Sequence, residues 1–172
     1  MLIAERLRKT NRAEYLLYLW QLEDILRACG CDEMRVNEFL KAGPEAARGY
    51  AALCEMMRSE GVKEHGHLQL SKNVLAEMVE LHDKLLASPK FPYYKQMYLK
   101  VLPFIVEVRR KQGERPKGEL EVCFEMLYGV LLLRLQKKEV SEATEAAVKE
   151  VSTLLGQLSD YYFKDREKPL EF

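Results

Sequence analysis

At 172 residues, 48% hydrophobic and 31% charged, with nine glycines and six prolines, the chain has the length of one domain and the composition of an ordinary globular protein, which excludes disordered and fibrous classes. Lys plus Arg equals Asp plus Glu, 27 each, so net charge gives no reason to expect nucleic acid or an anionic membrane as partner. Cys29, Cys31, Cys54 and Cys123 form no CxxC pair and no disulfide framework. The opening MLIAERLRKTN lacks the apolar core of a signal peptide, and no later run is long enough to span a membrane. A cytoplasmic protein with reduced thiols is the expectation.

Every long apolar segment keeps helical spacing, so the expected class is all-α, a single domain over 1–172 with six or seven helices. A first helix, over about 11–29, starts at Asn11, which stands three residues before Glu14 as in a capping box. Tyr15, Tyr18, Leu19, Leu22, Ile25, Leu26 and Cys29 share one face, and Gly30 stops it. A short helix follows Asp32, with Val36, Phe39 and Leu40 inward. Pro44 opens another, burying Ala47, Tyr50, Cys54 and Met57 up to Gly61. After the loop GVKEHGHLQL, Ser71 caps a helix carrying Val74, Leu75, Met78, Leu81, Leu85 and Leu86 inward, closed by SPKFP. The stretch 92–112 is helical in pattern, but Pro103 should kink or split it. Past GERPKG, residues 119–138 are apolar almost all round and predict a second central helix. Ser141 caps the last one, and the chain from about 164 is expected to fray.

The first helix has a second apolar face, Leu16, Leu17 and Trp20, which is either sandwiched in the fold or shared with a second subunit; it is the basis for expecting a homodimer or protein partner. Among its charges, Glu23 precedes Arg27 by four residues, the favourable order for a helix ion pair stabilising by about 0.2–0.5 kcal/mol. Arg134 and His82 fall on inward faces of their helices. A buried guanidinium needs a carboxylate, so Glu23, His82 and Arg134 form a candidate interior polar cluster that either fixes packing or lines a ligand or enzymatic pocket.

Lys63, His65, His67 and Lys72 run into a helix start and make a candidate anion-binding loop, with a solvated connection as the plainer alternative. Two histidines are too few to specify a metal, and no Glu-x-x-His pair supports a di-metal bundle site, so no metal and no cofactor is assigned. Residues 84–117 hold nine Lys or Arg against two Glu. There Lys90, Tyr93, Lys95 and Lys100 form a candidate basic aromatic surface of the kind single-stranded nucleic acid uses, although several aromatics of the segment fall on an inward face. No serine elbow, glycine-rich phosphate loop or Cys/His pairing marks a catalytic residue.

At RKTNRAEYLLYLWQLEDILRA, GVKEHGHLQL, SPKFPYYKQMY, LPFIVEVR and YGVLLLRLQKKEVSE the chain resembles domain-of-unknown-function family four-nine-two-four, found mainly in Bacteroides-like bacteria. The resemblance covers almost the whole length and implies one all-helical cytoplasmic domain; it supplies no activity, cofactor or catalytic residue. The sequence therefore points to a non-enzymatic helical binding or interaction protein, with a ligand or enzymatic pocket and weak nucleic-acid binding through 84–117 as alternatives.

Overall fold

The computed structural model describes residues 2–113 and 116–172, and every regular element among them is an α-helix. In chain order these are α1 (Leu2–Thr10), α2 (Arg12–Ala28), α3 (Glu33–Leu40), α4 (Pro44–Ser59), α5 (Gln69–Ala87), α6 (Pro92–Lys111), α7 (Glu119–Leu135) and α8 (Glu142–Glu167). The eight helices among the described residues exceed the expected six or seven because Leu2–Thr10, ahead of the first expected helix, forms a helix that buries Leu7. Glu114 and Arg115 of the loop GERPKG lie outside the described residues. Packing divides the chain into two compact units, 1–76 and 77–172, where a single domain was expected; α5 contributes 69–76 to the first and 77–87 to the second.

In the first unit, Asn11 separates α1 from α2, and its side chain accepts from the Glu14 N–H at 3.0 Å. The reciprocal half of the expected capping box has no work to do, because the Asn11 N–H already donates to Leu7 O at 2.8 Å. Two helices of this unit end in the same way. Gly30 (φ +67°) and Gly61 (φ +69°) take the left-handed conformation, and the following N–H groups of Cys31 and Val62 reach back to the carbonyls of Leu26 and Met57. That pattern returns the chain sharply and satisfies two orphan carbonyls per helix end. It also carries Cys31 and Val62 into a core with Leu22, Leu26, Val36, Tyr50, Cys54, Met57 and Leu68. Phe39, expected inward on α3, is 67% exposed.

In the second unit α6, α7 and α8 pack on one another, around Tyr94, Val101, Ile105, Phe124, Val151, Leu154 and Leu158. Helix α6 runs unbroken through Pro103, which is exposed. That is where the backbone bond a proline removes is least costly, because water can reach the freed carbonyl. Helix α7 is shorter than expected, and its burial falls off toward its C-terminal end, with Val130 its last buried residue. Leu120, Val122, Cys123 and Phe124 are buried, whereas Leu127 and Leu131–Leu133 are half-buried and Leu135 is 59% exposed. Ser141 caps α8 as expected, accepting from the Thr144 N–H at 3.2 Å. The tail does not fray at 164. The helix continues to Glu167, Leu170 N–H donates to Asp165, and the Phe172 ring lies 5.8 Å from that of Phe91.

Burial on this scale sets a checkable contrast. Phe124→Ala, at a fully buried position, should lower the unfolding free energy by about 3–5 kcal/mol, and Phe39→Ala should change it by less than about 0.5 kcal/mol. Urea denaturation of the two variants measures both; equal losses would mean that α3 is packed by that ring after all.

Candidate functional site

Helix α5 begins without a cap of its own. The residue before its first turn is Leu68, which is 1% exposed and has no side-chain acceptor. Its unpaired N–H groups are met instead by carboxylates from elsewhere in the first unit. Glu23 of α2, itself 2% exposed, accepts from the Leu68 N–H at 3.1 Å and from the Ser71 hydroxyl at 2.6 Å through Oε1. Its Oε2 lies 2.6 Å from His67 Nδ1. Glu60 accepts from the Gln69 N–H at 2.7 Å. A carboxylate at a helix start answers both the orphan donors and the positive end of the helix dipole. Ser71, expected to cap α5, sits inside the first turn and uses its hydroxyl on Glu23.

The rest of the connection is pinned to the same face of α2. Arg27 donates to the carbonyl of Gly66 at 2.6 Å and to that of Val62 at 3.4 Å. Its ion-pair partner is Asp24 at 2.6 Å, so the expected pairing of Arg27 with Glu23 does not form. Gly66 adopts φ +91°, a conformation that L side chains rarely take, so this turn favours glycine, although a Cβ there would make only an ordinary contact with Val62 at 3.5 Å. The His67 ring stacks on Trp20, with centroids 4.8 Å apart and planes 20° from parallel.

The expected trio of Glu23, His82 and Arg134 has three separate sets of partners. His82, 4% exposed in the second unit, hydrogen-bonds through Nδ1 to the Tyr94 hydroxyl at 2.6 Å and meets the edges of the Tyr94 and Tyr98 rings. Burial holds its imidazole below the ordinary value near 6.5, against a smaller opposing pull from Asp83 and Glu119. Burial also pushes the Tyr94 hydroxyl up and raises the Cys123 thiol to about 12. Arg134 is not interior: it is 54% exposed and pairs with Glu145 at 2.7 Å. The wheel angle was right, but α7 ends one residue later and its last turn is only partly covered.

In the candidate anion-binding loop, Lys63, His65 and Lys72 are exposed, and the Leu68 and Gln69 N–H groups are taken by Glu23 and Glu60. The arrangement expected to hold a foreign anion holds the chain's own carboxylates. Among the described residues no group of three or more His, Cys, Asp or Glu could hold a metal. In the basic aromatic segment Lys90, Tyr93, Lys95 and Lys100 are all exposed, Tyr93 at 75%, and Lys90 pairs with Glu171 at 3.5 Å. The other tyrosines are engaged: Tyr94 with His82, and Tyr98 with Glu119, to which it donates at 2.7 Å. Leu16 and Trp20, expected to face a partner, are 0% and 3% exposed, and Leu17 is half-buried. That face of α2 is closed within one chain.

A feature that sequence reading missed is an open apolar groove of about 450 Å³ in the second unit, lined by Phe104 and Val108 of α6, Met126, Gly129 and Leu133 of α7, and Ala147 of α8. Glu107 and Glu125 form its polar edge, one paired with Lys111 at 3.2 Å and the other with Lys117. Its sequence signal was the apolar run of α7 itself, which has more hydrophobic faces than one bundle position can cover.

Two substitution series follow from these contacts. Glu23→Ala strands a buried N–H, a buried hydroxyl and an imidazole, and should cost about 3–5 kcal/mol; His67→Ala removes one half-exposed donor and should cost about 1 kcal/mol. Urea unfolding checks the ranking, and a Glu23→Ala loss no larger than that of His67→Ala would remove Glu23 as the anchor of α5. For His82, a depressed folded value means that the unfolded chain takes up the proton first. The stabilisation is therefore whole above about pH 6.5 and is lost as pH falls below it. His82→Gln should flatten the fall in stability between about pH 6.5 and 5, read as Tm against pH by calorimetry.

No helix among the described residues is long and apolar enough to cross a membrane. No curated protein and no solved structure matches the chain. A family model, Domain of unknown function (DUF4924), matches residues 1–169, and on that extent the chain belongs to this family.

Proposed function

We propose that the protein is a non-enzymatic binding protein whose site is the groove between α6, α7 and α8, and that its partner is a protein presenting an apolar anchor side chain. The observation that carries this reading is Gly129. It lies exposed mid-helix in α7, on the groove floor, and a Cβ built there meets nothing within 4 Å. A helix-interior glycine is destabilising by roughly 0.5–1 kcal/mol relative to alanine, and no neighbour in the chain requires it. A bare backbone in an apolar groove with a charged edge suits the close approach of a partner side chain, and an apolar floor inside a polar rim is the anatomy of a protein interface. The volume lies inside the roughly 300–1,000 Å³ range of binding pockets.

The polar centres support the same reading. Ser71 and His67 both turn to Glu23, so the hydroxyl does not face the imidazole as a nucleophile and its base would. A cytoplasmic setting belongs to the proposal and is supported by four free thiols, three of them buried.

The test is selection of peptides from a random library on the whole protein, followed by titration of the enriched sequences. Apolar-anchor peptides should bind the wild type, and Gly129→Leu, which fills the floor, should weaken them about tenfold or more, the scale of one blocked anchor pocket. Gly129→Ala should raise stability by about 0.5–1 kcal/mol, showing that space and not folding decides the leucine result. No enrichment, or equal binding by Gly129→Leu, would overturn the reading. Enrichment of sequences from α7 or α6 would identify a second copy as the occupant.

A further inference from the structure

The solvent face of α6 has a composition that the average charge conceals. Leu99 is 53% and Val106 48% exposed, and with exposed Pro103 they form an apolar strip along the helix at three- and four-residue spacing. On the helical wheel Lys95 borders one side of the strip and exposed Arg110 falls within it; on the other side Gln96 and Glu107 come before Lys100, Tyr93 and Lys111, the last of which pairs with Glu107 at 3.2 Å. Among the described residues Lys95 and Lys100 have no carboxylate partner. Long lysine side chains flanking exposed aliphatics, with a tyrosine at the edge, match the boundary between lipid headgroups and acyl chains. There the stems lie along apolar surface while the ammonium groups reach anionic headgroups.

We propose that this face of α6 binds the surface of an anionic lipid bilayer. The helix lies in the plane of the interface and does not span it. Pro103 fits that depth: the Leu99 carbonyl lacks its helical donor, which is tolerable among hydrated headgroups and costly in hydrocarbon. The charge supports an anionic surface through Lys95, Lys100 and Arg110, which have no carboxylate partner among the described residues; of the nine cations in residues 84–117, five are paired, Lys84 with Glu80, Lys90 with Glu171, Arg109 with Glu119, Lys111 with Glu107 and Lys117 with Glu125. The same geometry disfavours single-stranded nucleic acid. That ligand is held by stacking on successive exposed rings, and this segment exposes only Tyr93, with Tyr94 buried and Tyr98 half-buried against Glu119. The expectation of no membrane partner, drawn from overall neutrality, is revised for this one face. The proposal does not rest on the groove, which uses Phe104 and Val108 on another flank of α6.

The experiment is co-sedimentation of the full chain with phosphatidylcholine vesicles and with phosphatidylcholine/phosphatidylglycerol vesicles at low salt, with a single-stranded RNA gel shift in parallel. Binding to the anionic vesicles alone is expected, falling with added salt. At about 1 kcal/mol per cation, Lys95→Glu/Lys100→Glu should weaken it tenfold or more. Leu99→Asp should weaken it severalfold, and Lys63→Glu, an exposed lysine of the first unit, should leave it unchanged. Circular dichroism confirms that each variant is folded. No binding to anionic vesicles, undiminished binding by Leu99→Asp, or an RNA shift without vesicle binding would each overturn the proposal.

Discussion

A carboxylate removed from water needs hydrogen-bond donors, and a helix start with no capping side chain needs acceptors; in the first unit each of these deficits is met by the other. Glu23 is almost wholly buried, and its two oxygens take the Leu68 N–H, the Ser71 hydroxyl and His67. Neither group would be stable there alone, because an unpaired buried charge or an orphaned N–H costs kilocalories. Once Glu23 is fixed, much of its neighbourhood follows. Arg27, one turn on, reaches the Val62 and Gly66 carbonyls, Trp20 stacks under His67, and the connection from α4 to α5 is held along α2 at both ends. The charges that interrupt the apolar run of α2 are ties between elements.

The second unit solves its buried polar groups differently. His82 and Tyr94 satisfy one another, and burial favours the neutral form of each, so no charge has to be compensated. The unit is instead dominated by an excess of apolar surface. Helix α7 is apolar almost all round, yet beyond Phe124 only Val130 is buried. What remains uncovered becomes the groove at Met126, Gly129 and Leu133. Glu23, Ser71, His82 and Tyr94 are thus each paired within the chain.

Much of this order was legible in the sequence, and the reasons are local. The caps at Asn11 and Ser141, the helix start after Asp32, the stops at Gly30 and Gly61 and the start at Pro44 depend on residues within a few positions of them and are legible in the sequence. What failed depended on distance in the chain. Arg134 had an inward wheel angle, but periodicity cannot show that α7 stops one residue later. Ser71 looked like a cap because the actual caps come from positions 23 and 60. The second apolar face of α2 was equally compatible with a partner subunit and with burial in its own chain, and periodicity contains nothing to choose between them. His67 was identified as a loop residue of interest, but its anchor Glu23 had been assigned to other partners.

Averages fail for the same reason. A chain with equal numbers of cations and anions has no net field to steer it toward a polyanion, yet binding at an interface depends on charges within about a Debye length, roughly 8–10 Å, of the contact. On α6 Lys95 and Lys100 stand exposed near Leu99 without a carboxylate partner among the described residues, whereas Lys111 pairs with Glu107 and Arg109 with Glu119. The local sign of that face is then set by its unpaired cations. The same holds for hydropathy: an unremarkable mean hides a helix, α7, that carries more apolar surface than its neighbours can bury. Both candidate surfaces arise where arrangement departs from composition, so folding, which places each residue beside particular neighbours, is what creates them.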